Sequence, residues 1–208
     1  MSKIHFDEST HRFYEIAHGG ERYVPSVSKI LSWGGYYDGM RFIKPWYAER
    51  GRATHKAIHL EILGTLDQST VDSVVLPYLN SWRRWRDRYK PCFMDTEKIV
   101  HLETLDYAGI ADAFIDYSPY DWKSGKKTPA HILQLTAYNM AYNMETHLDF
   151  PMYGVYLNCD GSEAKQYEFK IEAQAKAAND FIDLCTRFHD AQYDEDFKRH
   201  MEAAINGV

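Results

Sequence analysis

The sequence predicts an α/β protein with a central mixed β-sheet flanked by helices. Its 208 residues are 45% hydrophobic, which is enough for one sizeable core. Helical and strand-like patterns alternate in the order helix, three strands, helix, strand pair, which is typical of this class. No low-complexity segment, internal repeat or Pro/Ser-rich linker interrupts this order, so we expect a single domain over residues 1–208.

Residues 1–50 are expected to form a β-hairpin followed by a helical extension. Apolar residues typical of strands lie on both sides of a turn predicted at Gly19-Gly20. A short helix then opens at Pro25-Ser26, with Ser26 as the expected N-cap, and ends at Gly34-Gly35.

Two longer helices are predicted next. The first runs from about Arg52 to Leu63 and ends at Gly64. The second runs from about Asp72 to Tyr89, where apolar residues recur with the period of a helix. Because three aromatic residues match this apolar stripe, we expect them to pack in the core rather than to form a base-stacking ladder: Trp82, Trp85 and Tyr89.

Strands and helices alternate in the second half of the chain. Strands are predicted over Lys98–Glu103, over Tyr107–Asp116 and in a short segment ending at Lys123. A helix begins near Pro129 and runs to about Met144. Strands over 152–158 and 166–171 lead to a C-terminal helix, whose expected apolar face consists of Ala175, Phe181, Ile182, Cys185 and Phe188.

Composition and charge exclude several classes. The opening MSKIHFDEST is not the apolar run of a signal peptide, and no segment reaches the roughly 18 apolar residues of a membrane span. Cys92, Cys159 and Cys185 are widely separated, which favours a reducing, cytoplasmic setting and excludes a four-cysteine iron–sulfur cluster. The net charge of −6 argues against a general polyanion binder, although carboxylates in an active site would contribute to it.

Asp121-Trp122-Lys123, nine residues after Asp112, is the most informative motif. Asp121 and Lys123 are two apart on a strand, so they point to the same side of the sheet. If Asp112 ends a neighbouring strand, two carboxylates and an ammonium converge. Such a group holds a hard divalent cation and manages the proton of a water molecule, as phosphodiester hydrolysis requires. His55, further upstream, would complete the site of a metal-dependent nuclease.

Four short motifs follow one another along the chain. They are Gly51-Arg-Ala-Thr-His55, Gly109-Ile-Ala-Asp112, Asp121-Trp-Lys123-Ser-Gly125 and Gln134-Leu-Thr-Ala-Tyr138. Together they resemble the G-x-x-x-H, G-x-x-D, D-x-K-T-G and Q-x-x-x-Y motifs of the PD-(D/E)XK nuclease superfamily, in its RecB-like branch. One departure is Ser124, which stands where the branch has Thr. The resemblance covers residues 51–138, and Pro25-Ser-Val-Ser-Lys-Ile-Leu31 is similar to the opening of mitochondrial-type and phage-borne exonucleases of this branch.

The resemblance implies a restriction-endonuclease-like core over residues 51–171, with residues 172–208 as C-terminal helices. It also implies that His55, Asp112 and Asp121 are metal ligands, with the Trp122 backbone carbonyl as a fourth. One or two Mg²⁺ or Mn²⁺ ions suit these donors, because both ions prefer oxygen and one imidazole shifts the preference towards Mn²⁺. Lys123 would orient the attacking water and stabilise or accept charge. Glu103 is a further candidate ligand; the alternative is an ordinary strand carboxylate paired with Arg or Lys.

The expected substrate is DNA, either single-stranded or with free ends. Gln134 and Tyr138 share one helical face, and the resemblance places them against the active site in contact with DNA. Arg52, Lys126 and Lys127 are suited to neutralising phosphates. The Q-x-x-x-Y motif is common in end-processing members, so the resemblance implies an exonuclease, bacterial or phage-encoded, that serves DNA repair or recombination.

Two other functions remain open, and a third can be excluded. The same fold is also compatible with a structure-specific endonuclease, or with a catalytically silent module that binds DNA or scaffolds a complex. A zinc metalloprotease is excluded: His55 and His59 have the spacing of its zinc ligands, but Lys56 stands where that chemistry needs a glutamate.

Basic residues on the second long helix form either a DNA-backbone patch or a solvated face: Arg83, Arg84, Arg86, Arg88 and Lys90.

Overall fold

The computed structural model describes residues 3–17, 20–38, 45–143 and 150–206. Over these residues the chain forms eight β-strands and five α-helices. The strands are β1 (Lys3–Asp7), β2 (Arg12–Ala17), β3 (Gly20–Val24), β4 (Phe93–Leu102), β5 (Tyr107–Ile115), β6 (Ser118–Lys123), β7 (Met152–Tyr156) and β8 (Lys165–Phe169). The helices are α1 (Val27–Trp33), α2 (Pro45–Ile62), α3 (Leu76–Tyr89), α4 (Pro129–Tyr142) and α5 (Ile171–Asn206).

The strands form two sheets. β1, β2 and β3 make an antiparallel sheet, and the central sheet has the order β4-β5-β6-β7-β8. The central sheet is mixed: β6 and β7 are parallel and joined through α4, and the other neighbours are antiparallel. The predicted α/β class is therefore confirmed, and the N-terminal hairpin continues into a third strand. Gly19 of the predicted turn lies outside the described residues, as does Met144, the expected end of α4.

Local sequence signals set most helix ends. The Ser26 hydroxyl accepts a hydrogen bond from the Lys29 amide at 3.1 Å, which confirms the predicted N-cap of α1, and Gly34 is its C-cap. Gly64, with φ +69°, follows the end of α2 as expected. However, α2 begins at Pro45 and not near Arg52. Its first turns have no apolar stripe, so hydrophobic periodicity could not reveal them.

Two apolar clusters cover the two faces of the central sheet. One joins α1, α4 and α5 to the sheet through residues such as Ile30, Leu133 and Phe181. The other joins α2 and α3 to Trp122, with Trp82 and Trp85 fully buried as predicted. Tyr89 is the exception, because it is the last residue of α3 and remains 47% exposed, with its ring stacked on Trp85.

The apolar face of α5 is rotated from the predicted one. Phe181, Cys185 and Phe188 are buried, whereas Ala175 and Ile182 are exposed. The buried stripe is Gln174, Ala177, Ala178, Phe181, Leu184, Cys185 and Phe188. These residues recur at three and four positions, whereas Ala175 and Ile182 lie on the flank of that stripe. Within the described part of the chain, no helix has the length and apolar character needed to cross a membrane.

Folding stability should decrease in acid because of His131, a buried residue of α4. Its Nδ1 accepts the Tyr156 hydroxyl at 2.9 Å and the Thr128 amide at 3.4 Å, so this nitrogen carries no proton. Burial, with the nearby charges of Lys123 and Lys127, lowers the pKa of His131 to about 3. The stabilising effect of the neutral ring is complete above the unfolded pKa of about 6.5 and is lost as the pH falls towards 3.

A matched variant isolates this effect. Between pH 6.5 and 4.5 the free energy of unfolding of the wild type should fall by about 2–3 kcal/mol more than that of His131→Gln. Urea unfolding at several pH values measures both proteins. Parallel pH profiles would show that His131 does not titrate as its surroundings indicate.

Candidate active site

The candidate site lies where β6 separates from β5. Ser118–Tyr120 pair with Ala113–Ile115 of β5, and the next residues, Asp121–Lys123, pair with β7. At this split, Asp112 Oδ2 accepts a hydrogen bond of 2.6 Å from the Trp122 amide. Asp112 lies within β5, inside the strand predicted over Tyr107–Asp116 and not at its end. The departure of β6 from β5, and not a strand terminus, brings the Trp122 amide to it.

Strand alternation places Asp121 and Lys123 together, as predicted. Asp121 Oδ2 lies 2.6 Å from Lys123 Nζ, and the two side chains form an ion pair. Asp121 is only 2% exposed. Trp122, between them, packs on the opposite side against Trp82 and Trp85, at ring-centroid distances of 6.1 and 5.2 Å. The tryptophan therefore anchors the strand while its two neighbours face the site.

A chain of hydrogen bonds runs from Lys123 to α4. Lys123 Nζ donates to Gln134 Oε1 at 2.9 Å, and Gln134 Nε2 donates to the Tyr138 hydroxyl at 2.8 Å. The Tyr138 ring passes directly over Gly109, where a Cβ atom would lie 2.5 Å from the ring. Glycine at position 109 therefore provides the room that Tyr138 needs, and Tyr138 in turn holds Gln134 against Lys123.

Gly109→Ala should destabilise the protein and disturb this chain. The added methyl group overlaps the Tyr138 ring, so we expect a loss of about 1–3 kcal/mol in the free energy of unfolding. Gly125→Ala is the matched control, because a Cβ atom there meets nothing within 4 Å, and its effect should stay within about 0.5 kcal/mol. Denaturant unfolding measures both; equal stabilities would contradict the packing argument.

His55, Glu97 and Asp112 form a group that can hold a metal ion. His55 Nδ1 on α2 lies 2.9 Å from Asp112 Oδ1. One ligand atom from each of the three residues lies within 4.8 Å of the other two. Glu97 has φ +47° and stands between Thr96 and Lys98, which pair with the two neighbours of Asp112. This irregularity in β4 places the carboxylate beside that of Asp112.

Glu97 was not predicted from the sequence, in which Glu103 was the additional candidate ligand. The structure does not bring Glu103 to the cluster: it is exposed in the turn after β4. Its neighbour Leu102 pairs with Tyr107, which is five residues from Asp112, or roughly 17 Å along the strand. The register of the β4–β5 hairpin contains the missing signal, because Glu97 and Asp112 stand equally far from its turn. The predicted strand began at Lys98, whereas β4 begins at Phe93, so Glu97 fell just outside the predicted strand.

The group carries an excess of negative charge. Burial and the Asp112 carboxylate raise the pKa of Glu97 to about 7, and burial raises the pKa of Asp121 to about 6. Burial alone would lower the pKa of His55, but the charge and hydrogen bond of Asp112 outweigh burial, and the pKa of His55 is raised to about 9. These buried carboxylates therefore favour cations, and the donor set of oxygens and one imidazole fits Mg²⁺ or Mn²⁺.

Lys123 remains a cation in these surroundings. Burial alone would lower its pKa, yet the carboxylates of Asp121 and Asp112 raise it above the ordinary value. Tyr37, after α1, is a further neighbour that the sequence did not reveal. Burial raises the pKa of Tyr37, and the charges of Lys123 and Asp121 also act on it.

The three basic residues predicted to contact phosphates lie on α2 and in the connection between β6 and α4. Arg52, on α2, and Lys126, between β6 and α4, are exposed. Lys127 Nζ lies 3.0 Å from the centroid of the Tyr167 ring. Their contacts with phosphates stay predictions. His59 does not join the cluster: its Nδ1 lies 3.1 Å from Thr96 Oγ1.

The basic face of α3 is occupied by contacts within the protein. Arg83 and Arg86 both bind Glu61, at 2.7 and 3.1 Å. Arg84 donates to the Gly161 carbonyl at 3.0 Å, and Arg88 pairs with Glu163 at 2.9 Å. These contacts favour a structural role for these arginines over a DNA-backbone patch.

Comparisons with known proteins give distant likenesses. No protein-family model matches the sequence, and no curated protein matches it significantly. The solved structure of LHK-Exo in complex with dAMP shares 13% identity, with 88% of this chain and 94% of that chain covered, at a TM-score of 0.46. A second structure, the alkaline exonuclease LHK-Exo from Laribacter hongkongensis, shares 12% identity over 85% and 93% of the two chains, at a TM-score of 0.41.

Proposed function

We propose that this protein is a divalent-metal-dependent deoxyribonuclease of the PD-(D/E)XK superfamily, RecB-like branch, that degrades DNA from its ends or as single strands. One observation carries the proposal: His55, Glu97 and Asp112 lie within ligand distance of one another, and the buried ion pair of Asp121 and Lys123 lies beside them where β6 leaves β5. This is the combination of charges that phosphodiester hydrolysis with a metal ion requires.

The metal would be held by His55, Glu97, Asp112 and Asp121. The Trp122 backbone carbonyl, on the strand that leaves β5, remains part of the proposed ligand set. Mg²⁺ or Mn²⁺ bound there would activate water and neutralise charge on the phosphate. His55 must be neutral to ligate, and its pKa is raised to about 9, so ion binding near neutral pH would release a proton from its ring.

Lys123 would stabilise negative charge on the phosphate oxygens. Because its pKa is raised, its Nζ remains protonated and acts as an electrostatic stabiliser rather than as the base that accepts the proton of water. Gln134 Oε1 and Asp121 Oδ2 hold that nitrogen in place from two sides, at 2.9 and 2.6 Å. Tyr138 orients Gln134, which gives the Q-x-x-x-Y motif a positioning role.

Arg52, Lys126 and Lys127 would bind the phosphates that flank the scissile bond. All three are close to site residues along the chain: Arg52 is about one turn before His55, and the lysines follow Lys123 by three and four residues. Positive charges close to the site can bind phosphates even though the net charge of the whole chain is negative.

Digestion of end-labelled linear DNA and of circular DNA, each single- and double-stranded, tests this function. With Mg²⁺ or Mn²⁺ we expect loss of linear DNA only, and no reaction in EDTA. Cut circles would identify a structure-specific endonuclease on the same fold. DNA binding without any cleavage, with either metal, would instead indicate a silent binding or scaffolding module.

A further inference from the structure

The start of α2 carries an exposed pair of stacked aromatic rings. The centroids of Trp46 and Tyr47 are 4.1 Å apart with an interplanar angle of 23°, and each side chain is 43% exposed. Consecutive residues of a helix normally point about 100° apart. Two neighbouring rings in contact therefore need a third group to hold them together.

Arg50 supplies that third group. It stands four residues after Trp46 and three after Tyr47, so all three side chains can meet on one face. Its guanidinium carbon lies 5.2 Å from the Trp46 ring and 5.1 Å from the Tyr47 ring. It also lies 4.5 Å from the ring of Tyr78, a buried residue of α3. Cation–π contacts therefore fix the exposed pair to the body of the protein.

The turn of α2 that carries Arg50 lies against the end of the strand that carries Lys123. Arg50 Nη2 is 3.5 Å from the carbonyl oxygen of Ser124, the residue after Lys123. A Cβ atom at Gly51 would lie 3.9 Å from Ser124 Oγ, so this end of α2 lies against the end of β6. Along the helix axis Trp46 stands roughly 13 Å from His55, about four nucleotide steps of a stacked strand.

We propose that Trp46 and Tyr47 form a base-stacking subsite for single-stranded DNA that enters the active site. The occupant is an unpaired nucleotide, because the faces of bases in a duplex are covered by their neighbours and only an unstacked base can lie on a protein ring. Arg50 keeps the ring pair in place and adds positive charge beside the strand. The subsite accepts any base, since every base has an aromatic face. This inference rests on the proposed nuclease function.

A binding measurement separates stacking from charge. Fluorescence anisotropy in EDTA, where no cleavage occurs, gives the affinity for labelled oligo(dT) and for the same oligonucleotide with abasic sites. The proteins are the wild type, Trp46→Ala, Trp46→Phe and Tyr193→Ala; the last removes a 72% exposed aromatic residue of α5 and is the control. Circular dichroism shows whether each variant is folded.

Trp46→Ala should bind oligo(dT) about ten- to a hundredfold more weakly than the wild type, while Trp46→Phe and Tyr193→Ala stay within about threefold. Abasic sites should weaken binding to the wild type but not to Trp46→Ala, and the salt dependence should be the same for both, because no phosphate contact is removed.

Two results would overturn the subsite and leave the nuclease intact: equal affinities of the wild type and Trp46→Ala, or binding and cleavage of duplex DNA only. A wild type that neither binds nor cleaves any DNA would overturn the proposed function and this inference together.

Discussion

Asp121→Asn is expected to lower the rate of metal-dependent DNA cleavage by about a thousandfold or more, while the protein stays folded. Asparagine has the shape of aspartate but lacks the charge that a divalent cation needs. It also leaves Lys123 without its ion pair at 2.6 Å. The fold should survive because burial already raises the pKa of Asp121, so the charge that is removed is an unfavourable one.

Two further proteins complete this comparison. Lys123→Met should lose cleavage to a similar extent, because it removes the cation that faces the phosphate. Asp190→Asn, at an exposed position of α5, should cleave like the wild type. Initial rates on end-labelled linear DNA, with near-ultraviolet circular dichroism of each protein, provide the measurement. Substantial cleavage by folded Asp121→Asn would place the chemistry elsewhere.

Glu97→Gln is expected to stabilise the metal-free protein while it lowers cleavage by about a hundredfold or more. The pKa of Glu97 is raised to about 7, above the ordinary value of 4.5. Its ionised form therefore opposes folding: stability is lost as the pH rises from 4.5 through 7. At pH 8 the glutamine variant should gain about 1–2 kcal/mol in the free energy of unfolding, because the side chain is partly exposed.

Glu103→Gln is the matched control, since Glu103 is an exposed carboxylate of the same hairpin. It should change neither stability nor cleavage. Thermal unfolding at pH 8 with and without Mn²⁺ adds a second readout: the ion should raise the unfolding temperature of the wild type and of Glu103→Gln, but raise that of Glu97→Gln much less. If the two variants behave alike, Glu97 is not a ligand.

Local patterns predicted the fold class and much of the site geometry. The alternation of side chains along a strand placed Asp121 and Lys123 together with Trp122 on the other side, and the helical period joined Gln134 to Tyr138. These are short-range rules that depend on backbone geometry alone. Trp82 and Trp85 were also correctly assigned to the core, because apolar periodicity on α3 matched burial.

The features that were missed depend on contacts between elements. Glu97 reaches Asp112 through an irregular residue with positive φ in β4, and the pairing of β4 with β5 sets which carboxylates meet. Asp112 meets the Trp122 amide because β6 diverges from β5, which no pattern within either strand reveals. The first turns of α2 lack an apolar stripe, so the helix start at Pro45 and the aromatic pair beside it were not predicted.

The central claim is that His55, Glu97, Asp112 and Asp121 hold a divalent ion where β6 leaves β5. Calorimetric titration of Mn²⁺ into the wild type and into Asp112→Asn, which keeps the size of the buried side chain, tests it most directly. We predict binding to the wild type with release of protons, and at least about tenfold weaker binding to Asp112→Asn. Equal affinities of the two proteins for Mn²⁺, or no binding to the wild type, would contradict the account.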